Sequence, residues 1–394
     1  MDSQKVNNKK GRPSIAIACG GSGGHLFPGV ALAEEFADFN IQTELFITSK
    51  KVDDAGVSTL KDIEIHKLPG KPFSLKRSIS FINGFWTSYK ESLRLLKLSK
   101  PLAMVATGSF ACLGPVLAAR KIGAKIYVHE ANSIPGKAVR LLATKVDRVY
   151  HFFPGIERKL INASCKHVGM PVRRQFEPFD PVACRLQLGL QAHKPTLLVM
   201  GGSQGARPIN RFLTSNILEI QKAIPNIQIL HITGTLDYEE GLELQKRKDV
   251  FLRIITKPFL TEMEFAYGAS NLVMCRSGAS TIAELASMKV PSILIPYPHS
   301  ADGHQKLNAQ LVEQSGAGTM VLQDDLNSEN VVPIMKKLFF DQDLRSKMID
   351  NLKNWYHQDS TGEMVEDIIS HLGIPGKRRS PEFTFLKKKL TEIQ

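Results

Sequence analysis

The sequence predicts an α/β protein of two Rossmann-like domains facing each other across a cleft, and three observations carry that expectation. Apolar runs rich in Ile, Val and Leu alternate with runs of helical period along most of the 394 residues, which is the pattern of strand–helix units with parallel sheets. Glycine turns in the first half return in the same order in the second. Finally, a chain of this length is too long for one comfortable core, and prolines and charges interrupt its pattern at "GMPVRRQFEPFD", Gly169 to Asp180.

The first-half strands read near Ser14 to Cys19, Thr43 to Ile47, Leu102 to Ala106, Lys125 to His129 and Arg148 to His151. Those of the second half read near Thr196 to Met200, Ile227 to His231, Val250 to Ile255, Leu272 to Met274 and Ser292 to Ile295. "GGSGGH" at 20–25 matches "GGSQGAR" at 201–207, and "ATGSFACLG" at 106–114 parallels "CRSGASTIAE" at 275–284. Each turn joins a strand to a helix, where unpaired amides and the positive end of the helix dipole favour phosphate. Neither first turn spells GxGxxG and no GxxxxGK[ST] occurs, which argues against a dinucleotide oxidoreductase or a P-loop nucleotidase.

The formal net charge of +13 favours anionic partners. Five scattered cysteines, none spaced as CxxC, indicate neither a disulfide framework nor a zinc site. The first fourteen residues lack the apolar core of a secretory signal, and no apolar run approaches the roughly 20 residues that span a bilayer. The "DQD" triplet at 341–343 reads as a helix N-cap. His299, Asp302 and His304 lack an evident fourth metal ligand and read as polar surface.

"GGSGGHLFPG" at 20–29, "HEAN" at 129–132, "GMPVR" at 169–173, "GGSQGAR", "RSGASTIAE" at 276–284 and "HSADGHQKLNA" at 299–309 resemble the MurG family in order and spacing, from about Ser14 to residue 370. The resemblance implies a GT-B fold, with an N-terminal acceptor- and membrane-binding domain over 1–170 and a UDP-sugar domain over 171–355. A C-terminal helix and basic tail, 356–394, would return toward the first domain. It implies an inverting transfer of GlcNAc from UDP-GlcNAc to an undecaprenyl-diphosphate-linked muramoyl-pentapeptide, without cofactor, metal or nucleic acid. The enzyme would sit peripherally on the cytoplasmic face of the plasma membrane, with cell-wall assembly proteins as candidate partners.

An inverting transfer needs a base on the acceptor side, and His25 at the tip of the first glycine loop is the candidate, since neutral imidazole takes a proton near neutral pH. The resemblance groups Ser22, Gly23, Gly24 and Asn132 around the donor, and Gly21 and Glu130 on the acceptor side. The departing diphosphate needs fixed donors, which Ser277, Gly278 and Ala279 at a helix start would supply with Ser203, Gln204 and Arg173. Resemblance places Glu284 at the ribose, Phe259 beside the uracil, and Gln305 and Asn308 at the GlcNAc; the last two lie three apart, on one helix face. The chain departs from the family pattern at Ser22 for threonine, Met170 for asparagine and Ala131 for glutamine.

In the segment 71–100, Ile79, Ile82, Trp86, Tyr89, Leu93 and Leu96 form a stripe at helical spacing, expected to be the core face. Phe81 and Phe85 on its shoulder, with Lys76 and Arg77, are expected to meet an anionic membrane surface. The competing readings are a GT-B glycolipid synthase with another UDP-sugar, a UDP-GlcNAc epimerase, and a non-catalytic nucleotide-sugar-binding scaffold.

Overall fold

The computed structural model describes residues 12–57, 60, 63–69, 78–202, 205–376 and 378. Seven strands, β1 (Ser14–Ala18), β2 (Gln42–Thr48), β3 (Glu64–Leu68), β4 (Ala103–Ala106), β5 (Lys125–Glu130), β6 (Arg148–His151) and β7 (Cys165–His167), form the first sheet. Its order is β3-β2-β1-β4-β5-β6-β7. Six more, β8 (Thr196–Met200), β9 (Gln228–Ile232), β10 (Arg253–Lys257), β11 (Leu272–Cys275), β12 (Ser292–Leu294) and β13 (Thr319–Met320), form the second in the order β10-β9-β8-β11-β12-β13.

The pairings recorded in both sheets are parallel, as in β1 with β2 and β8 with β9. The central strands read as unbroken apolar runs because helices cover both faces; β8 is buried at all five positions. Strand order reverses between β1 and β4 and again between β8 and β11. Ligands of doubly wound sheets bind outside the strand ends at such reversals. The four glycine turns of the sequence follow these four strands.

The expected strands are present, with β10 beginning three residues later than the sequence reading placed it. The sequence reading missed β3, β7 and β13, which lie at or next to sheet edges. Their polar, half-covered residues blur the apolar signal: β3 is Glu-Ile-His-Lys-Leu, and His66 Nε2 lies 2.9 Å from Glu44 Oε2 on β2.

The helix Ser360–His371 packs Met364, Val365, Ile368 and Ile369 into the first domain's core beside Phe36. Asp367 fastens it, accepting hydrogen bonds from Tyr150 Oη at 2.6 Å and Lys166 Nζ at 3.0 Å. The linker adds a crossing pair: Arg174 Nη2 lies 2.7 Å from Glu35 and 2.5 Å from Asp38. Asp341 caps the helix Gln342–Leu352 by accepting from Leu344 N at 2.9 Å, as the "DQD" reading expected.

The helix Ser78–Ser99 corrects one expectation. Ile82 and Trp86, assigned to the core stripe, are 50% and 52% exposed. Phe85, expected to face outward, is half-buried and packs on the core with Tyr89 and Leu93. The buried face runs through Ser88 and Ser92. A Cβ on Gly114, in the helix Leu113–Lys121, would fall 2.7 Å from Ser88 Oγ, so this helix and Ser78–Ser99 meet at small residues that an apolar-stripe reading passes over. Lys76, Arg77, Ser203 and Gln204 lie outside the described residues, as does the side chain of Phe81.

Candidate active site

After β1 the chain turns through Gly20 and Gly21, at φ +118° and +91°, where side chains are strained. Asp53, fully buried, receives this turn: its Oδ2 accepts from Gly21 N at 2.8 Å and Thr48 N at 3.2 Å, and from the Thr48 hydroxyl. A Cβ on Gly20 would lie 2.7 Å from that oxygen. Lys50 Nζ donates to Gly21 O at 2.7 Å. The turn delivers the helix Gly23–Asp38, whose N-cap Ser22 is extended and makes no side-chain cap. The first-turn amides therefore lack a side-chain acceptor from their own cap.

His25 stands in that first turn, half-buried. Its Nδ1 lies 2.7 Å from the Thr107 carbonyl oxygen beyond β4, and Thr107 Oγ1 donates back to His25 O at 2.6 Å. A carbonyl only accepts, so Nδ1 carries the proton and Nε2 keeps its lone pair. Burial lowers the imidazole pKa, opposed by the Thr107 bond and reinforced by His304 from the second domain. Gly108, at φ +91°, permits the close approach: a Cβ there would lie 3.2 Å from the ring.

Across the cleft, the helix Ala279–Met288 starts after β11 with N-cap Gly278, no side-chain cap and no acidic residue in its first turn. Ser277, fully buried, donates its hydroxyl to Gln305 O at 2.8 Å, tying the helix start to the helix His304–Gln314. Ser280 Oγ donates to Gly24 O at 3.2 Å. The two helices that follow the two strand-order reversals thus touch beside His25.

Asn308 is completely buried and joins the domains: its Oδ1 accepts from Ser133 N at 3.0 Å and Ser133 Oγ at 2.6 Å. Its Nδ2 donates to Asn132 Oδ1 at 3.3 Å and Ser277 O at 3.2 Å. All its bonding capacity is taken by protein in this closed arrangement. Gln305 Oε1 accepts from Tyr297 N at 3.0 Å, and its amide nitrogen carries no bond among the described residues.

Glu130, at the end of β5, is buried and organises its own loop rather than facing the cleft. It accepts from Asn132 N at 2.8 Å and Gly136 N at 2.7 Å. Burial pushes its pKa up to about 7, against these hydrogen bonds, which favour the ionised form. Arg140 beyond the loop pairs with Asp302 of the second domain at 2.5 Å.

Glu284 lies half-buried farther along the Ala279 helix, its Oε2 accepting from Tyr267 Oη at 2.9 Å. Burial raises its pKa, and Arg173 opposes the rise. The Arg173 guanidinium lies 4.2 Å from the Phe27 ring centroid and 4.9 Å from that of Phe176, a stacked cation that holds linker to first domain. Phe259 is 40% exposed, outside the packed core.

Two family models match the chain: the glycosyltransferase family 28 N-terminal domain over residues 15–151 and the C-terminal domain over 196–362. It is 31% identical over 91% of its length to a UDP-N-acetylglucosamine–N-acetylmuramyl-(pentapeptide) pyrophosphoryl-undecaprenol N-acetylglucosamine transferase of Bdellovibrio bacteriovorus, 99% of which is covered. The enzyme so named in Protochlamydia amoebophila is 35% identical over 82% of this chain and 86% of its own. The chain belongs to the MurG family.

The crystal structure of Acinetobacter baumannii MurG superposes with a TM-score of 0.70 at 24% identity, over 91% of this chain and 100% of that one. A UDP-N-acetylglucosamine 2-epimerase shares the fold at a TM-score of 0.66 and 13% identity, over 93% and 98%. This MurG-type chain therefore has the GT-B architecture.

The structure brings together His25, Gly24, Asn132, Ser277, Gln305 and Asn308 around the cleft, and Arg173 with Glu284 at its linker end. Reading the sequence missed Asp53, Thr107, Ser133, Tyr267 and Ser280. Ser280, inside "RSGASTIAE", and Thr107, inside "ATGSFACLG", stood in motifs singled out beforehand. No group of three or more metal-ligating side chains occurs among the described residues; Asp302 is paired with Arg140, and His304 Nδ1 bonds Ala301 O at 2.7 Å.

Proposed function

We infer that this chain is an inverting hexosyltransferase that moves GlcNAc from UDP-GlcNAc to undecaprenyl-diphosphate-MurNAc-pentapeptide, forming the disaccharide lipid precursor of peptidoglycan. The observation that carries the mechanism is a histidine with a defined free nitrogen on one domain, beside an uncapped helix start on the other. The acceptor hydroxyl attacks the anomeric carbon as His25 Nε2 takes its proton. The bond from that carbon to the diphosphate oxygen breaks, and its electron pair leaves with UDP. Amides at Gly278 and Ala279 meet the growing phosphate charge, as fixed dipoles do without reorganising.

In this reading Arg173, Ser203 and Gln204 add donors for the diphosphate, Glu284 takes the ribose, Phe259 the uracil, and Gln305 the GlcNAc hydroxyls. Ser22, Gly23 and Gly24 present first-domain amides to the substrates, with Gly21 at the base of the turn. Asn132 and Asn308 close the cleft over them, and Glu130 shapes the acceptor-side loop.

The acceptor is a membrane lipid, and an exposed apolar surface offers the dock. Ile82, Trp86 and Leu141 are exposed, and Phe85, Leu113, Leu117, Leu141, Leu142 and Lys145 line an apolar pocket of about 270 Å³. Exposed Lys137, Arg140 and Lys145 border it in sequence, and apolar groups beside cations suit an anionic interface. No helix among the described residues is long and apolar enough to cross a membrane; in this reading the enzyme attaches peripherally, at the cytoplasmic face where its nucleotide-sugar donor is.

The deciding experiment measures UDP release from UDP-GlcNAc with and without the lipid-diphosphate muramoyl acceptor. Release that needs the acceptor supports the transferase; acceptor-independent interconversion of the free nucleotide sugar would favour the epimerase.

A further inference from the structure

We propose that Tyr267 is a specificity-determining positioning residue: its buried hydroxyl pins one oxygen of Glu284 so that the other is presented to the ribose diol. The inference rests on the reading of Glu284 as the ribose acceptor and adds the group that makes that carboxylate selective.

Tyr267 sits on the helix Met263–Ala269 and is 1% exposed. Its Oη donates to Glu284 Oε2 at 2.9 Å, whereas Oε1 carries no hydrogen bond among the described residues. A glutamate has three side-chain torsions, and an unheld carboxylate samples many orientations. Anchoring one oxygen by a rigid phenol removes most of that freedom before any ligand arrives. The phenol is itself held: its ring lies 5.9 Å from that of Phe176 at 57°, and Phe176 in turn lies under the Arg173 guanidinium.

The chemistry of the pair fits a diol. An ionised carboxylate only accepts hydrogen bonds, and a ribose offers two adjacent hydroxyl donors. Burial favours the protonated acid, but the Tyr267 bond and Arg173 both favour the anion, opposed further by Glu264. Tyr267, Arg173, Glu264 and the buried thiol of Cys275, whose pKa burial raises, are the ionisable groups coupled to Glu284 here. A site built to receive a hydroxyl discriminates strongly against an analogue that lacks it.

The test compares binding of UDP and 2′-deoxy-UDP by calorimetry in wild type, Tyr267→Phe and Glu284→Ala, with KM for UDP-GlcNAc as a second measure. Removing one oxygen keeps the ring packing, so the phenylalanine variant is expected to fold. In it the preference for UDP over 2′-deoxy-UDP falls on the order of 10-fold, the worth of one charge-assisted hydrogen bond, and KM rises similarly while kcat stays within about 3-fold. Its KM also begins to climb at a higher pH than in wild type as pH is lowered, because Glu284 loses a bond that favours its anion. Wild-type preference and an unmoved KM profile in Tyr267→Phe, with preference lost in Glu284→Ala, would overturn the role of Tyr267 alone. Preference retained in Glu284→Ala would overturn the ribose reading and this inference with it.

Discussion

His25 and Thr107 hold each other from opposite sides of the first strand-order reversal: Nδ1 of the imidazole meets the Thr107 carbonyl at 2.7 Å, and the Thr107 hydroxyl returns to His25 O at 2.6 Å. The exchange fixes ring orientation and tautomer together. A base whose proton-accepting nitrogen is set in advance loses little entropy when the acceptor hydroxyl arrives.

His25→Ala is expected to lower kcat about 10² to 10⁴-fold, the usual worth of a positioned base, with UDP affinity little changed. The pH profile supplies the sign. Burial lowers the His25 pKa from 6.5, and the base works only when neutral. Wild-type kcat/KM should therefore stay level from neutral pH to below 6.5 and fall only at more acidic values. A profile that already falls above pH 7 would remove His25 from this role.

Glu130 gives a prediction on stability. Its folded pKa, about 7, stands above the ordinary 4.5, so ionisation is penalised in the folded state. The favourable contribution is complete below the unfolded value and is lost as pH rises through the folded one. Between pH 4.5 and 7.5 the stability of wild type relative to Glu130→Gln should fall by about 3 kcal/mol. His129 and His231, both lowered to about 4 by burial, act in the opposite direction, but they are common to both proteins and cancel. Urea titrations at several pH values measure the difference; a constant difference would count against the raised pKa.

How far the sequence carried the site follows from the range of the interactions. The central strands were readable because they are buried on both faces, and the motifs located His25, Glu284 and Gln305. Thr107 stands in the "ATGSFACLG" turn, but nothing local marks its pairing with a residue 82 positions away, and Tyr267, 17 positions from Glu284, stands in no motif. Asp53 sits in an ordinary amphipathic segment, 32 positions from the glycine turn it holds. On the helix Ser78–Ser99, residue spacing allowed two apolar faces. Close approach at Gly114 chose the one that carries Ser88, leaving Trp86 outside.

Asn308 is expected to govern closure. It makes four hydrogen bonds to Asn132, Ser133 and Ser277 while wholly buried, and its loss leaves several groups unsatisfied at roughly 1–3 kcal/mol each where water cannot reach them. Asn308→Ala should favour an open arrangement, seen as a larger radius of gyration in solution scattering, and should raise KM for the donor at least about 10-fold. Ser133→Ala, which removes one of the four, should do the same more weakly. Unchanged scattering with a changed KM would confine Asn308 to the sugar.

Trp86 separates membrane docking from chemistry. It is 52% exposed and stacks edge-on against Phe85 and Tyr89 at ring distances of 5.6 and 5.8 Å, so the aromatic neighbours brace an apolar group that meets solvent. Placing a carboxylate there costs its transfer into an apolar layer and repels an anionic surface. Trp86→Glu, alone or with Ile82→Glu, should weaken partition onto vesicles containing anionic lipid at least about 10-fold. Turnover of a short-chain, water-soluble acceptor should stay near wild type, because His25 and the donor helix lie elsewhere. The membrane-embedded acceptor should be used poorly by the same variant, and added salt should weaken wild-type vesicle binding as screening of Lys137 and Lys145 requires. Undiminished vesicle binding by the double variant would place the dock on another face.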